Sequence, residues 1–243
     1  LQTAELVSAL VKWLREQLEE TGQKGFVVGL SGGIDSSVAA VLCKRACPDH
    51  TLGVIMPCHS SPQDAEDAEL LARTFDIPYV KVNLDAIYAQ LAELLTGKRF
   101  EELDHRTITL SNLKPRLRMT VLYFFANDRQ YLVVGTGNRC ELTIGHFTKF
   151  GDGAADIMPL ANLLKFQVQE IARYLGIPER IIARPPSPGL WEGQTDAEEM
   201  GFTYEELDRY ILYGEASPEV KERIESLKAK HRHKLFPPLT PPF

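Results

Sequence analysis

The 243-residue chain is 44% hydrophobic and 25% charged, the profile of an ordinary globular protein long enough for one large α/β domain. A formal net charge of −6 argues against the basic stripe of a nucleic-acid-binding surface, so no nucleic-acid partner is expected. No apolar stretch approaches ~20 residues and no signal-peptide pattern opens the chain, so no membrane association is expected.

Leu6, Leu10, Trp13, Leu14 and Leu18 recur at helical spacing and predict an amphipathic helix ending near Thr21 and Gly22. Four β-rich runs follow, at residues 26–30, 52–56, 79–84 and 131–136, separated by helical patterns over 36–46, 63–75 and 113–127. Such βαβ alternation predicts a parallel sheet flanked by helices on both faces, a Rossmann-like single domain over 1–243, with ligands beyond the carboxyl ends of its strands. From 145 to 205 the pattern breaks into glycine-, proline- and acid-rich segments around one helix at 164–175, which are candidate substrate loops. Helices are predicted again at 203–212 and 218–230, and the proline-rich ending over 236–243 is not helical. Cys43, Cys47, Cys58 and Cys140 form no C-x-x-C pair, which suggests neither a zinc site nor a disulfide framework and fits a cytoplasmic protein.

The most specific local signal is the SGGIDSS motif at 31–37, between the first strand and the next helix. A helix N-terminus leaves backbone N–H groups unpaired and carries partial positive charge, so this turn is an anion cradle. Gly32 and Gly33 let the backbone approach a ligand, and Ser31, Ser36 and Ser37 add hydroxyl groups. Asp35 would repel a phosphate unless a divalent cation lay between them, so it reads as an Mg²⁺ ligand. No lysine stands between Lys24 and Lys44, which disfavours a Walker-type loop, and Gly29, Gly32 and Gly33 do not fit G-x-G-x-x-G. The turn resembles the SGGxDS loop of the ATP pyrophosphatases, which cleave ATP to AMP and pyrophosphate while adenylating an acceptor.

Further motifs follow in order: NLKPRLRM from Asn112, VVGTGNRCE from Val133, FTKFGDGAADIMPL from Phe147, PPSPGLWEGQTDAEEMG from Pro185, and His233 with Lys234. With SGGIDSS they span nearly the whole chain, which resembles the ammonia-dependent NAD⁺ synthetases, with an adenine nucleotide α-hydrolase-like fold. The resemblance implies a ligase of NAD biosynthesis in which the carboxylate of deamido-NAD⁺ attacks the α-phosphorus of ATP, and ammonia then displaces AMP. It implies Mg²⁺ on Asp35 and Glu141, and ATP contacts from Gly29, Leu30, Ser31, Gly32, Gly33, Ile34, Asp35, Ser36, Thr136, Lys165 and Ser187. It assigns Arg116, Lys149, Asp156, His233 and Lys234 to deamido-NAD⁺, with Asp156 acting on ribose or on ammonium. It also implies a homodimer.

By composition alone, Lys114, Arg116 and Arg118 read as a solvated helix face; motif order reverses that reading. His59, His105 and His146 lack i, i+4 partners and are assigned no chemistry. Asn138, Arg139 and Cys140 stand where ammonia-dependent members often carry His-Ala-Ala, a variant similar to the synthetase domain of glutamine-dependent relatives. Free ammonia, or ammonia from a separate protein, remains the expected nitrogen source. Residues 186–205 are expected to close over the adenylate as a lid. The competing readings are another ATP pyrophosphatase, such as a GMP synthetase core or a tRNA-modifying synthetase, and a non-catalytic ATP or AMP sensor.

Overall fold

The computed structural model describes residues 2–187, 195–238 and 240–242. Four parallel strands, β1 (Gly25–Gly29), β2 (Thr51–Ile55), β3 (Tyr79–Lys81) and β4 (Tyr131–Val134), lie in the order β3-β2-β1-β4. In the centre, Val27 pairs with Leu52 on one side and Val133 on the other. A parallel sheet is covered on both faces, which is why β1, Gly-Phe-Val-Val-Gly, and β2 are apolar runs rather than alternating ones.

The helices divide between those faces. α1 (Thr3–Thr21), α2 (Ile34–Ala46) and α8 (Lys165–Leu175) pack with α3 (Pro62–Thr74) around Phe26, Val28, Leu42 and Ile171. α4 (Asp85–Thr96) and α6 (Leu113–Arg129) cover the other face through Val27, Val54, Tyr88 and Ala126. A third cluster joins α7 (Arg139–Ile144), α11 (Tyr204–Tyr213) and α12 (Pro218–His231) through Ile144, Leu207 and Ile224. It brings the C-terminal helices against the segment that follows β4. Short helices α5 (Ile108–Ser111), α9 (Glu179–Ile182) and α10 (Asp196–Met200) complete the described elements, with 3-10 turns at Phe100–Glu102 and Arg232–Lys234.

The sheet and the long helices other than α4 fall where the sequence predicts them, with β3 and β4 shorter than expected. The sequence reading gives no element at 85–96, where α4 stands. Its buried Tyr88 and Ala92 are accompanied by exposed Ile87, Leu94 and Leu95, so apolar residues surround the helix and blur the one-sided stripe that identifies an amphipathic segment. The short α7, α9 and α10 span too few turns to set up a period.

The topology places the functional region. From β1 the chain builds outward to β2 and β3, then returns to add β4 on the opposite side, so the order reverses between β1 and β4. Loops leaving the carboxyl ends of those strands must part, opening a crevice. Asp35 follows β1 and Glu141 follows β4, so they stand on its two sides.

Candidate active site

A cavity of about 550 Å³ lies beyond the carboxyl ends of β1, β2 and β4, in the size range of a small-ligand site. Gly29, Leu30, Ser31, Gly33, Ile34, Asp35 and Ser36 line it, as do Thr136, Glu141, Lys165 and Ser187. Gly32 does not: it has φ +78°, and a Cβ there would meet the Asp64 carbonyl oxygen at 2.4 Å. Its glycine identity therefore serves the backing of the turn against α3.

The turn holds its own shape. The Ser31 and Ser36 hydroxyls lie 2.9 Å apart, and Ser36 and Ser37 donate to the Gly33 carbonyl at 3.0 and 2.8 Å. Among the described residues no side chain caps the start of α2, so its first N–H groups stay available to an anion.

Across the crevice, Asn138 links the two acids. Its side-chain amide donates to Asp35 Oδ1 at 3.0 Å and its backbone N–H to Glu141 Oε2 at 3.1 Å, while its Oδ1 accepts the Glu141 N–H. This is a capping box on α7, and it fixes Glu141 with respect to Asp35. Lys165, whose side chain is 3% exposed, places Nζ 2.5 Å from Asp35 Oδ2 and 4.7 Å from the Tyr204 ring centroid. Burial opposes the lysine charge, yet Asp35 and Glu141 together hold its pKa above the ordinary value. The Glu141 carboxyl is pushed up, first by burial and then by the Asp35 charge.

Several members of this network are not singled out by sequence. The Tyr204 hydroxyl donates to Asp196 Oδ2 at 2.7 Å and to Glu141 Oε1 at 3.4 Å, and His146 Nε2 stands 3.4 Å from Asp196 Oδ1. Buried Asp208 accepts the Lys165 and Phe166 N–H groups at 3.2 Å each and the Cys140 thiol at 2.8 Å, capping α8 from α11. Tyr204 and Asp208 are four residues apart on α11, a spacing that marks one helix face. Asn138 is readable as an N-cap three residues before Glu141. His146, assigned no chemistry by sequence, is an ion-pair partner of Asp196.

The five residues assigned to the acceptor are dispersed. Lys234 lines the cavity and donates to the carbonyls of Gly145 and Phe147 at 2.8 and 2.7 Å. Arg116, Lys149 and His233 gather outside it, where Arg116 Nε and Nη2 each lie 3.4 Å from the Lys149 carbonyl and Lys149 Nζ donates to the His233 carbonyl at 2.8 Å. Asp156 stands apart at the sheet edge, accepting the Val133 N–H at 2.7 Å and the Tyr123 hydroxyl at 3.2 Å. Lys114 and Arg118 are not a solvated face: Lys114 is 2% exposed and Arg118 lines the cavity. Within the expected lid, Ser187 and Asp196 border the cavity and residues 188–194 lie outside the described residues.

The chain is similar to known proteins over nearly its whole length. The family model described as NAD synthase matches residues 6–238. The NH(3)-dependent NAD(+) synthetase of Carboxydothermus hydrogenoformans is 50% identical over 237 residues, covering 98% of this chain and 97% of that protein. Among solved structures, the NMN synthetase of Francisella tularensis superposes with a TM-score of 0.94 at 38% identity, covering 100% of both chains. The NH3-dependent NAD synthetase of Campylobacter jejuni gives a TM-score of 0.79 at 26% identity, covering 99% of each.

Proposed function

We propose that this chain, which belongs to the NAD synthase family, is an ammonia-dependent NAD⁺ synthetase, a ligase that uses ATP to convert deamido-NAD⁺ to NAD⁺. The observation that carries the reading is the pairing of Asp35 with Lys165 and Asn138 directly above the phosphate-binding turn, with Glu141 across the same crevice.

In this reading the N-terminus of α2 and the turn at 31–36 hold the triphosphate, and Thr136, Lys165 and Ser187 contact it from the other walls. The acceptor carboxylate attacks the α-phosphorus, the bond to the pyrophosphate breaks, and the electron pair leaves with pyrophosphate. Ammonia then attacks the acyl carbon and AMP departs. Lys165 supplies a fixed positive charge where phosphate charge builds, held by the Asp208 cap and the Tyr204 ring so that it need not reorganise. Tyr204, Asp196 and His146 hold Glu141 in place from behind.

Mg²⁺ suits the donor set. Asp35 and Glu141 offer hard carboxylate oxygens, and neither Lys nor Arg pairs with Glu141 among the described residues. No group of three or more His, Cys, Asp or Glu gathers as a ready metal site among those residues. Few protein ligands are the pattern of an Mg²⁺ completed by substrate phosphates and water. When bound, the ion would neutralise charge on the leaving pyrophosphate.

A homodimer fits the outer surface. Arg116, Thr120 and Phe124 follow each other at i+4 along α6, all exposed, and Phe150 adds a second exposed ring next to Lys149. A partner chain covering this face would complete the acceptor site around Arg116 and Lys149. A reducing cytoplasm agrees with four cysteines free of disulfides, and no described helix is long and apolar enough to cross a membrane.

The test is NAD⁺ formation from deamido-NAD⁺ with ATP and Mg²⁺, comparing ammonium with glutamine. Turnover with ammonium alone is expected, and absence of product with ammonium would refute the assignment. A second reading, amidation of the mononucleotide, is favoured by the likeness to an NMN synthetase over full length. Running nicotinate mononucleotide in parallel separates the two by their kcat/KM ratio.

A further inference from the structure

The cavity wall carries cations of two kinds. Lys165 pairs with Asp35, and Arg184 pairs with Asp64 and Asp67. Arg118 has no carboxylate partner among the described residues: its Nε donates to the Met56 carbonyl at 3.2 Å and its Nη2 to the Ser60 hydroxyl at 3.0 Å, both neutral. A guanidinium has five N–H donors, so the rest of its fork is left for the cavity that it lines. Burial pulls its pKa down, yet a guanidinium keeps its charge. A desolvated cation is costly; the Asp152 and Asp64 carboxylates offset part of that cost without forming an ion pair with Arg118, and an arriving anion would relieve more of it.

The position of Arg118 suggests which anion. Leu122, one helical turn further along α6, is within 3.6 Å of where a Cβ on Gly29 would stand, and Gly29 closes β1 just before the phosphate-binding turn. Met56 follows β2, so Arg118 borders the turn from the β2 side, opposite Asn138 and Glu141 on the β4 side. A triphosphate bound to the turn would therefore lie between the Lys165 cluster and Arg118.

We propose that Arg118 is a further catalytic residue, which donates to a non-bridging oxygen of the ATP α-phosphate and stabilises the charge that develops there during adenylation. The proposal rests on the adenylation reading given above. As the acceptor carboxylate oxygen bonds to the α-phosphorus and the bond to the β-phosphate oxygen breaks, Arg118 keeps its proton and supplies only hydrogen bonds and charge. Lys234 is also bonded to carbonyls, but the acceptor already accounts for it. The opposing explanation is a strut that ties α6 to β2, as Arg15 ties α1 to the Ala46 carbonyl at 3.1 Å.

The experiment compares the full chain with Arg118→Ala and Arg118→Lys, measuring AMP and adenosine binding by calorimetry, NAD⁺ formation and thermal melting. The parent chain should bind AMP at least about tenfold more tightly than adenosine. Arg118→Ala should lose most of that preference and about 100-fold in kcat, with the acceptor KM little changed. Arg118→Lys should recover part of both, because it keeps the charge but not the planar fork. An unchanged ratio of AMP to adenosine affinity in a folded Arg118→Ala chain overturns the proposal, whatever happens to the melting temperature. If the ratio falls as expected but the parent chain makes no NAD⁺, the reaction assignment fails while Arg118 keeps its phosphate.

Discussion

The two groups of charged residues around the cavity are built in opposite ways. At the β1–β4 crevice, charges are matched within the chain: Lys165 with Asp35, His146 with Asp196, and Asp208 with the start of α8. In the outer group, Arg116 and Lys149 outside the cavity and Lys234 at its wall donate to backbone carbonyls, and no acid pairs with them among the described residues. Self-paired charges are preorganised and suit a centre where charge appears only briefly. Cations resting on carbonyls keep their net charge for a ligand that brings its own, as a dinucleotide with a pyrophosphate and a carboxylate does. Chemistry is thus expected to depend on the first group and acceptor affinity on the second.

The sharpest way to break that contrast is Asp35→Ala. It removes the partner of both Lys165 and Asn138 and one carboxylate of the metal pair, so kcat should fall by about 1,000-fold or more, with the chain still folded. Steady-state rates of NAD⁺ formation at saturating ATP and Mg²⁺, with circular dichroism as the folding control, measure it. Activity within tenfold of the parent would remove Asp35 from the reaction.

Asp208→Asn should act more mildly through Lys165. Asparagine offers one acceptor oxygen where three donors converge, the N–H groups of Lys165 and Phe166 and the Cys140 thiol. Losing a helix cap costs about 1–2 kcal/mol. The start of α8 should loosen and kcat should fall roughly tenfold, while KM for deamido-NAD⁺ stays near its parent value. A change confined to the acceptor KM would show that the two groups are not separable as described.

Arg116→Ala probes the outer group. Removing one charge-assisted hydrogen bond to the acceptor at an exposed position should raise KM for deamido-NAD⁺ severalfold to about tenfold and leave kcat within about twofold. An equal loss of kcat would contradict the division. The mononucleotide, if accepted, should be affected less, since it carries fewer groups to reach this surface.

The same division explains what is readable from sequence. The sheet and the SGGIDSS turn are legible because each rests on a local pattern: an apolar run, two glycines, and an acid at a helix start. Glu141 and Lys165 follow from the order of motifs along the chain. Asp208 is not legible that way, and for Arg118 motif order reverses the solvated-face reading without assigning it a role. Each is one charged residue on a helix, and its role comes from what a distant segment places beside it, Met56 and Ser60 for Arg118, Cys140 and Lys165 for Asp208. α4 escapes for another reason, because its apolar residues do not keep to one face. Asp156 is the reverse case: motif order brings it to the acceptor, while its partners, the Val133 N–H and the Tyr123 hydroxyl, hold it at the sheet edge.

The smallest effect is expected at the periphery of the crevice, where His146 meets Asp196. Burial disfavours the imidazolium, but the Asp196 carboxylate outweighs it and raises the His146 pKa above 6.5. Burial likewise pushes the Asp196 carboxyl up, and His146, Tyr204 and Lys165 more than reverse this, leaving it below the ordinary 3.8. The histidine contribution to stability is complete below its unfolded pKa and disappears as pH rises through the raised folded value. The aspartate contribution is present above its unfolded pKa and fades only as pH falls through the lowered folded one. Both are therefore present between about pH 4 and 6.5. His146→Gln should lower the melting temperature by about 2–4 °C at pH 5.5, corresponding to about 1 kcal/mol, and by much less at pH 8.5. A gap of equal size at both pH values would mean that His146 contributes by packing and neutral hydrogen bonding, so that the charge matching of the crevice stops at Lys165 and Asp35.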